Sequence, residues 1–289
     1  MKQYKNPSEL IDYIISRGII VSDKNDTLKK IKNYSYYSII NSYKDVFKTT
    51  DNKYRKNVSF DEIYTLYEFD KNIRFIFLKY ILEIEIIIKS LLAEVISSKY
   101  GIEKYLDINN FDDTVDKSVL QDGLEKINKE IVKQNGKHEA ITHYIDKYGF
   151  IPPFVLTKIL TFGELSRLYI MLKQPDRQMI SKEFKISDKL LKQIMKNMTL
   201  IRNICAHNDR LFSFHSKFFL TFKDIDNTYK NKDKSTNLYM IMKSMQQLLE
   251  EKKKIEFEES INNEIKTLKN KIVSLDINII LHLMGFYTE

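Results

Sequence analysis

The stretch Ser59–Ser97 constrains the fold of this chain most, because it contains neither glycine nor proline. Ser59 and Glu62 match a capping box, in which each side chain accepts a hydrogen bond from the other residue's backbone N–H. Apolar residues then recur at helical spacing from Leu66 onward. We therefore predict one helix of about 35 residues, roughly 50 Å long if unbroken, which Gly101 ends.

The rest of the chain is also poor in turn residues, with 7 glycines and 4 prolines among 289 residues. A β-sandwich or barrel needs many tight turns, and no segment shows sustained alternation of apolar and polar residues. Hydrophobic residues make up 43% and charged residues 30%, which is typical of a folded globular chain. We predict an all-α protein.

A polar segment at residues 49–58 divides the chain into two predicted parts. We expect a small N-terminal helical subdomain at residues 1–58 and a larger helical domain at residues 59–289. Further helices are predicted at about 119–134, 137–147, 154–173, 176–184, 187–206, 235–254 and 256–273, with a charged linker at 223–235 and an apolar tail at 277–286.

Several classes of protein are disfavoured by the composition. Cys205 is the only cysteine, so the chain has no internal disulfide and no cysteine-based metal site. No apolar run approaches the roughly 20 residues of a membrane span, and no secretory leader is recognisable. We therefore expect a cytoplasmic protein with no membrane partner. The formal charge of +8 favours attraction to nucleic acid, although only weakly.

The predicted helix 187–206 carries an apolar stripe that is interrupted by one arginine. Placed at about 100° per residue, Met195, Met198 and Cys205 fall on this stripe and Arg202 projects into it. A buried guanidinium without a partner is costly. Arg202 is thus either a structural residue paired with an acid of the long helix, or it faces a protein interface or an anionic substrate.

His207 follows Arg202 by five residues, about 140° around and about 7.5 Å along an ideal helix. The chain contains two Arg-x-x-x-x-His patterns, Arg202 to His207 and Arg210 to His215, and the spacing alone does not choose between them. No histidine has carboxylate or cysteine neighbours at metal-ligand spacing, and there is no phosphate loop or dinucleotide fingerprint. We expect neither a metal nor a cofactor.

Several segments, taken in their order along the chain, together resemble the Abi-like family of bacterial abortive-infection proteins, of the AbiD/AbiF kind. The segments that carry the resemblance are Tyr34–Phe47, Phe60–Arg74, Glu83–Lys89, Phe162–Tyr169 and Arg202–Leu211. Lys89 stands where the family has arginine. The resemblance covers about residues 10–215 and leaves out roughly the last 75 residues.

The Abi-like family is similar to HEPN domains, many of which are metal-independent ribonucleases. The resemblance therefore implies a HEPN-like helical bundle with a small N-terminal helical extension. It places the family's Arg-Asn-x-x-x-His on Arg202, Asn203 and His207, which favours the first of the two patterns. HEPN domains usually pair, so a homodimer is expected, and some family members are controlled by a small RNA.

We predict from this resemblance an endoribonuclease toxin that cuts RNA by attack of a ribose 2′-OH on the adjacent phosphodiester. His207 would transfer a proton, Arg202 would stabilise charge on the phosphoryl oxygens, and Asn203 would orient a phosphate or the imidazole. The predicted contacts to the RNA backbone are Arg210, Lys217 and Lys223. DNA, which lacks the 2′-OH, should not be cut. The alternative is a HEPN module that binds RNA without cutting it.

Overall fold

The computed structural model describes residues 4–220 and 236–286. Within these ranges the chain forms α-helices joined by turns and longer irregular segments, which include a π-helix at Tyr37–Asn41 and two short 3-10 helices. No β-strand is present in these ranges, only isolated bridges. The prediction of an all-α protein is confirmed. The twelve α-helices are α1 (Pro7–Ser16), α2 (Lys24–Tyr34), α3 (Phe60–Tyr100), α4 (Lys117–Gln134), α5 (Glu139–Tyr148), α6 (Pro153–Ile159), α7 (Phe162–Met171), α8 (Gln174–Glu183), α9 (Asp188–His207), α10 (Leu238–Gln246), α11 (Glu251–Lys271) and α12 (Asn278–Met284).

The predicted long helix is the centre of the structure. Helix α3 begins at the capping box of Ser59 and Glu62, as predicted, and ends at Gly101, whose φ of 76° lies in the left-handed region. It is longer than predicted, with 41 residues. Buried side chains lie on more than one of its faces, because α6, α9 and α11 all pack against it.

Helix α11 attaches the C-terminal part of the chain to this centre through aromatic packing. Phe257 of α11 is fully buried and stacks on Tyr80 of α3, with ring centroids 4.3 Å apart. Phe77 meets the same ring edge-on at 5.2 Å. The last helices therefore share the core of the segment that carries the family resemblance. The division of the chain at residue 58 stays a prediction.

Two predicted helix boundaries are wrong. The predicted helix 154–173 is two helices, α6 and α7, because Thr161 caps a new helix and forms a capping box with Glu164. The predicted break near residue 255 is also wrong, since α11 begins at Glu251 and continues through that position. Most of the predicted linker at 223–235 lies outside the described residues.

Candidate functional site on helix α9

Helix α9 carries the Arg-Asn-x-x-x-His segment as its last turn and a half. The Ser187 side chain caps its start by accepting from the Leu190 N–H at 3.1 Å. The helix continues without a break to His207 and ends because Asn208 adopts a left-handed conformation, with φ 57°. His207 is thus the last helical residue, one position later than the predicted end.

The side chains of α9 sort by face as the apolar stripe predicts. Met195, Met198 and Cys205 are buried. Arg202 lies at the edge of this buried stripe and is half-buried, whereas Asn203 and His207 are exposed. Because α9 is continuous, Arg202 and His207 stay about 140° apart around its axis. One helix does not bring the two side chains to the same point.

The side chains of Arg202, Asn203 and His207 make no hydrogen bond or ion pair with any residue in 4–220 or 236–286. The structural alternative, in which Arg202 pairs with an acid of the long helix, is therefore not found among the described residues. The buried arginine that does pair with such an acid is Arg74, on α3 itself. The polar groups of the Arg-Asn-x-x-x-His segment remain available to an external ligand.

A buried polar cluster on α3 fixes the backbone that follows α9. The Asp70 carboxylate accepts from the N–H of Phe212 at 2.6 Å and from that of Leu211 at 3.1 Å. It also accepts from the Tyr43 hydroxyl at 2.6 Å and forms an ion pair with Arg74. Arg74 in turn donates to the backbone carbonyl of Asp209 at 3.2 Å. The cluster therefore binds the backbone at both ends of the segment 209–212.

The pKa values of the groups in and beside this cluster are shifted by burial and by neighbouring charges. Burial raises the pKa of the Asp70 carboxyl, and the Arg74 guanidinium together with its hydrogen-bond donors opposes that rise. Burial acts to lower the pKa of Arg74, but the Asp70 carboxylate, the Tyr43 hydroxyl and the Cys205 thiol together outweigh it and the pKa is raised. Burial likewise raises the pKa of the nearby Cys205 thiol to about 12, so this thiol stays protonated at neutral pH.

Sequence reasoning missed Asp70, Arg74 and Tyr43 as residues that position the segment. The available signal was a pair of opposite charges four residues apart within the apolar face of a long helix. Such a pair is ordinarily a solvated surface feature. Here both members are buried, Asp70 at 0% and Arg74 at 3% exposure, because the chain after α9 folds over them.

The predicted contacts to the RNA backbone have different surroundings. Arg210 is exposed and donates to the Ser42 carbonyl at 2.8 Å, so it also ties the N-terminal part of the chain to this region. Lys217 is exposed in the irregular segment after α9. Lys223 lies outside the described residues. His215, the histidine of the second pattern, is exposed in the same irregular segment and its Nδ1 lies 3.2 Å from the Ser213 carbonyl.

Two further features bear on the class of site. Within residues 4–220 and 236–286, no group of three or more histidine, cysteine, aspartate or glutamate side chains is arranged to hold a metal ion. Across the same ranges, no helix combines the length and the apolar character that a membrane crossing requires.

Comparison with known proteins identifies the family. A family model described as Abi-like protein matches residues 29–213, which is more than half of the chain. No curated protein and no solved structure matches the chain. The match includes α3, the buried Asp70 and Arg74, and the Arg-Asn-x-x-x-His segment of α9. The chain therefore belongs to the Abi-like protein family, which links it to abortive infection, a form of phage defence.

Proposed function

We propose that this protein is a cytoplasmic endoribonuclease toxin of abortive infection, built on a HEPN-like domain, which cuts RNA by transesterification without a metal ion. The 2′-OH of the nucleotide on the 5′ side attacks the adjacent phosphorus, and the bond from phosphorus to the 5′-oxygen breaks. The 2′-OH gives up its proton and the departing 5′-oxygen takes one up. The products carry a 2′,3′-cyclic phosphate and a 5′-hydroxyl.

The observation that carries this proposal is the state of the three polar side chains at the end of α9. Arg202, Asn203 and His207 have no polar partner among the described residues, yet the backbone after them is held by a buried ion pair. Such an arrangement keeps functional groups in place for a ligand while leaving their donors and acceptors unsatisfied. An arginine with a purely structural role would be expected to form an ion pair with a carboxylate.

Each of the three residues has a role that suits its chemistry. His207 transfers a proton in one of the two proton steps, because an imidazole ring can both accept and donate a proton. Arg202 stabilises the negative charge that develops on the phosphoryl oxygens, as a guanidinium can donate two hydrogen bonds to a phosphate. Asn203 orients a phosphate or the imidazole. Arg210, Lys217 and Lys223 contact phosphates further along the RNA backbone.

The geometry of α9 supports a homodimer. Arg202 and His207 point about 140° apart on one helix, so a second copy that faces the first would supply the residue that one helix cannot bring to the phosphate. Light scattering should then return about twice the chain mass of 34.5 kDa. A mass of one chain at every working concentration, with and without RNA, would contradict the dimer.

Complementation between two inactive variants tests the shared site more directly. If each site takes Arg202 from one copy and His207 from the other, a mixed dimer of Arg202→Ala and His207→Ala chains contains one intact site. Co-expression of the two variants should therefore restore part of the cleavage that each lacks alone. If both residues act from the same chain, the mixture stays inactive.

The test of the function itself is cleavage of RNA by purified protein in the presence of a chelator. His207→Ala should lower the rate by about 10²–10⁴-fold, which is the range typical of lost proton transfer. Arg202→Ala should lower it by about 10²–10³-fold, which is typical when one group that stabilises transition-state charge is lost. His215→Ala is the matched control, because it removes an exposed histidine from the second Arg-x-x-x-x-His pattern. Loss of activity with the chelator, or 5′-phosphate and 3′-hydroxyl ends, would contradict transesterification.

The same assay separates the alternative function, a HEPN module that binds RNA, or a small regulatory RNA, without cutting it. In that case the wild-type protein retains RNA in a binding assay but leaves it intact. The Arg202→Ala variant would then change affinity and not rate. Single-stranded DNA should bind the basic surface but remain uncut, because it lacks the attacking hydroxyl.

A further inference from the structure

A surface groove lies on the exposed side of α9, away from the core. It has a volume of about 630 Å³ and lies between α4, α7 and α9. The residues that matter for its chemistry are Asp122, Arg167, Lys196, Thr199, Leu200 and Phe218. The groove is large enough for a nucleotide-sized ligand, since small-molecule sites occupy about 300–1,000 Å³.

The α9 side of the groove carries Lys196, and Lys192 lies one helical turn before it, outside the groove lining. Both lysines are half-buried and form no ion pair with any described residue. Burial lowers the pKa of Lys192, and the positive charges of Lys196 and Arg177 lower it further, although the Asp112 and Asp188 carboxylates oppose this shift. An anion bound near these two ammonium groups would relieve their repulsion.

The opposite wall of the groove, formed by α4 and α7, carries both charges, Arg167 and Asp122. Arg167 of α7 donates to the Asp122 carboxylate at 2.5 Å, and Lys126 shares that carboxylate at 2.8 Å. Two cations therefore share one acid, so the Asp122 carboxylate does not fully neutralise Arg167. Thr199 of α9 also lines the groove, and its hydroxyl donates to the Met195 carbonyl at 2.9 Å.

An aromatic ring with a fixed backbone closes one end of the groove. Phe218 is 41% exposed, although its carbonyl accepts from the side chains of Asn197 at 3.2 Å and Thr236 at 2.9 Å. Asn197 and Thr236 are fully buried. The Lys196 ammonium lies 5.3 Å from the centre of the Phe218 ring. An exposed ring on an anchored backbone, next to cations, is the arrangement on which nucleic-acid bases stack.

The groove leads toward His207 along one face of α9. Leu200 and His207 are seven residues apart, which places them within about 20° on the helix surface and about 10 Å apart along the axis. Asn203 lies between them, four residues before His207. A strand whose scissile phosphate lies at His207 therefore passes Asn203 and reaches the groove without changing face.

From this geometry we propose that the α4–α7–α9 groove binds a single-stranded segment of the RNA substrate beside the scissile phosphate. One base stacks on Phe218, Lys196 contacts the adjoining phosphate, and Lys192, one helical turn beyond the groove, contacts the next phosphate. This proposal rests on the proposed function, because it assigns the groove to the strand that His207 acts on. An acidic peptide would also satisfy the two lysines, but it would not need the ring of Phe218.

The test uses the full-length His207→Ala protein, so that RNA is bound and not consumed, and a fluorescent single-stranded RNA of about ten nucleotides. Phe218→Ala should weaken binding about fivefold or more, which is the lower range for loss of one stacked base. Phe219→Ala is the matched control, since this adjacent ring is 37% exposed and does not line the groove. Phe218→Tyr should retain the affinity because it retains the ring.

The lysine contacts are tested by the dependence of affinity on salt. Lys196→Gln should weaken binding and reduce the slope of log affinity against log salt by about one, as expected when one phosphate contact is lost. Lys252→Gln, on the exposed side of α11, should leave the slope unchanged. The subsite is refuted if Phe218→Ala binds like Phe219→Ala, or if Lys196→Gln binds like Lys252→Gln.

These outcomes are distinct from failure of the proposed function. If the wild-type protein does not cut RNA but Phe218→Ala still weakens binding, the groove is an RNA site and the protein is not a nuclease. If the wild-type protein cuts RNA and Phe218→Ala behaves as the control, the nuclease stands and the groove assignment is wrong.

Discussion

The buried pair of Asp70 and Arg74 gives the sharpest test of how the segment after α9 is held. An Asp70→Asn substitution keeps the shape of the side chain but removes its charge. The asparagine Oδ1 can still accept from the N–H groups of Leu211 and Phe212, which lie 3.1 and 2.6 Å from the Asp70 Oδ1. The asparagine amide nitrogen cannot accept from the Tyr43 hydroxyl or from Arg74.

The size of the effect follows from the burial of both partners. Asp70 is 0% and Arg74 3% exposed, so water does not screen the guanidinium that loses its carboxylate. Removing one member of a buried ion pair typically costs about 3–5 kcal/mol. For a chain of this size class, about 1 kcal/mol corresponds to about 2–4 °C, so the Tm should fall by roughly 6–20 °C.

Thermal and urea unfolding followed by circular dichroism would measure this change. Asp61→Asn is the matched control, because Asp61 lies on the same helix, is 51% exposed, and pairs with Lys30 on the surface. Its effect should stay below about 1 kcal/mol. If Asp70→Asn melts within about 2 °C of the wild type, the buried pair does not stabilise the fold.

A double substitution, Asp70→Leu with Arg74→Met, separates stability from positioning. Replacing a buried ion pair by apolar residues of similar volume is often neutral for stability. The N–H groups of Leu211 and Phe212 nevertheless lose their acceptor, so the segment after His207 should loosen. We expect reduced RNA cleavage, and each N–H group that stays buried without an acceptor should cost about 1–3 kcal/mol of stability. Full cleavage activity in the double variant would show that the buried cluster does not position the site.

Three further predictions concern other parts of the structure. Burial acts to raise the pKa of the Glu62 carboxyl, but the backbone N–H groups of Ser274 and Val273 help to lower it overall. Its contribution to stability is therefore present above the unfolded value near 4.5 and is lost as the pH falls through the lowered folded value. Unfolding curves of wild type and Glu62→Gln should differ at pH 7 and converge once the pH is below that folded value. Gly285→Ala should lower the free energy of unfolding by at least about 1 kcal/mol in urea titrations, because φ is +84° and a Cβ would lie 2.2 Å from the Asn237 side chain. Burial raises the pKa of the Cys205 thiol to about 12. At pH 8 this thiol should therefore react with iodoacetamide at least about 100-fold more slowly in the native than in the unfolded protein, measured by mass spectrometry. Equal rates in the two states would contradict the burial of Cys205.

The helices that the sequence predicted well are those whose signals are local. The start of α3 followed from Ser59 and Glu62, and its continuity followed from the absence of glycine and proline, because both signals act within a few residues along the chain. The division between α6 and α7 was missed although Thr161 and Glu164 form the same kind of capping box. The apolar periodicity runs through that position on both sides, and it masked the local signal.

The site was predicted less completely, because part of it depends on contacts that are distant in sequence. The family resemblance indicated Arg202, Asn203 and His207. The helical periodicity of residues 187–206 placed Arg202 within an apolar stripe. The carboxylate that fixes the next residues, Asp70, is separated from Phe212 by 142 positions. No periodicity along the chain indicates which of many acids the loop will cover. Such a contact becomes visible only when α3 and α9 are packed together.

The most direct test of the central claim is a single 2′-deoxy substitution in an RNA that the protein cuts. The deoxy nucleotide is placed on the 5′ side of a mapped cleavage position, and the products are separated at single-nucleotide resolution. If the ribose hydroxyl is the nucleophile, cleavage stops at that position and continues at neighbouring positions, with His207→Ala inactive at all of them. Undiminished cleavage at the deoxy position would show that another nucleophile attacks the phosphorus, and the transesterification mechanism would be wrong.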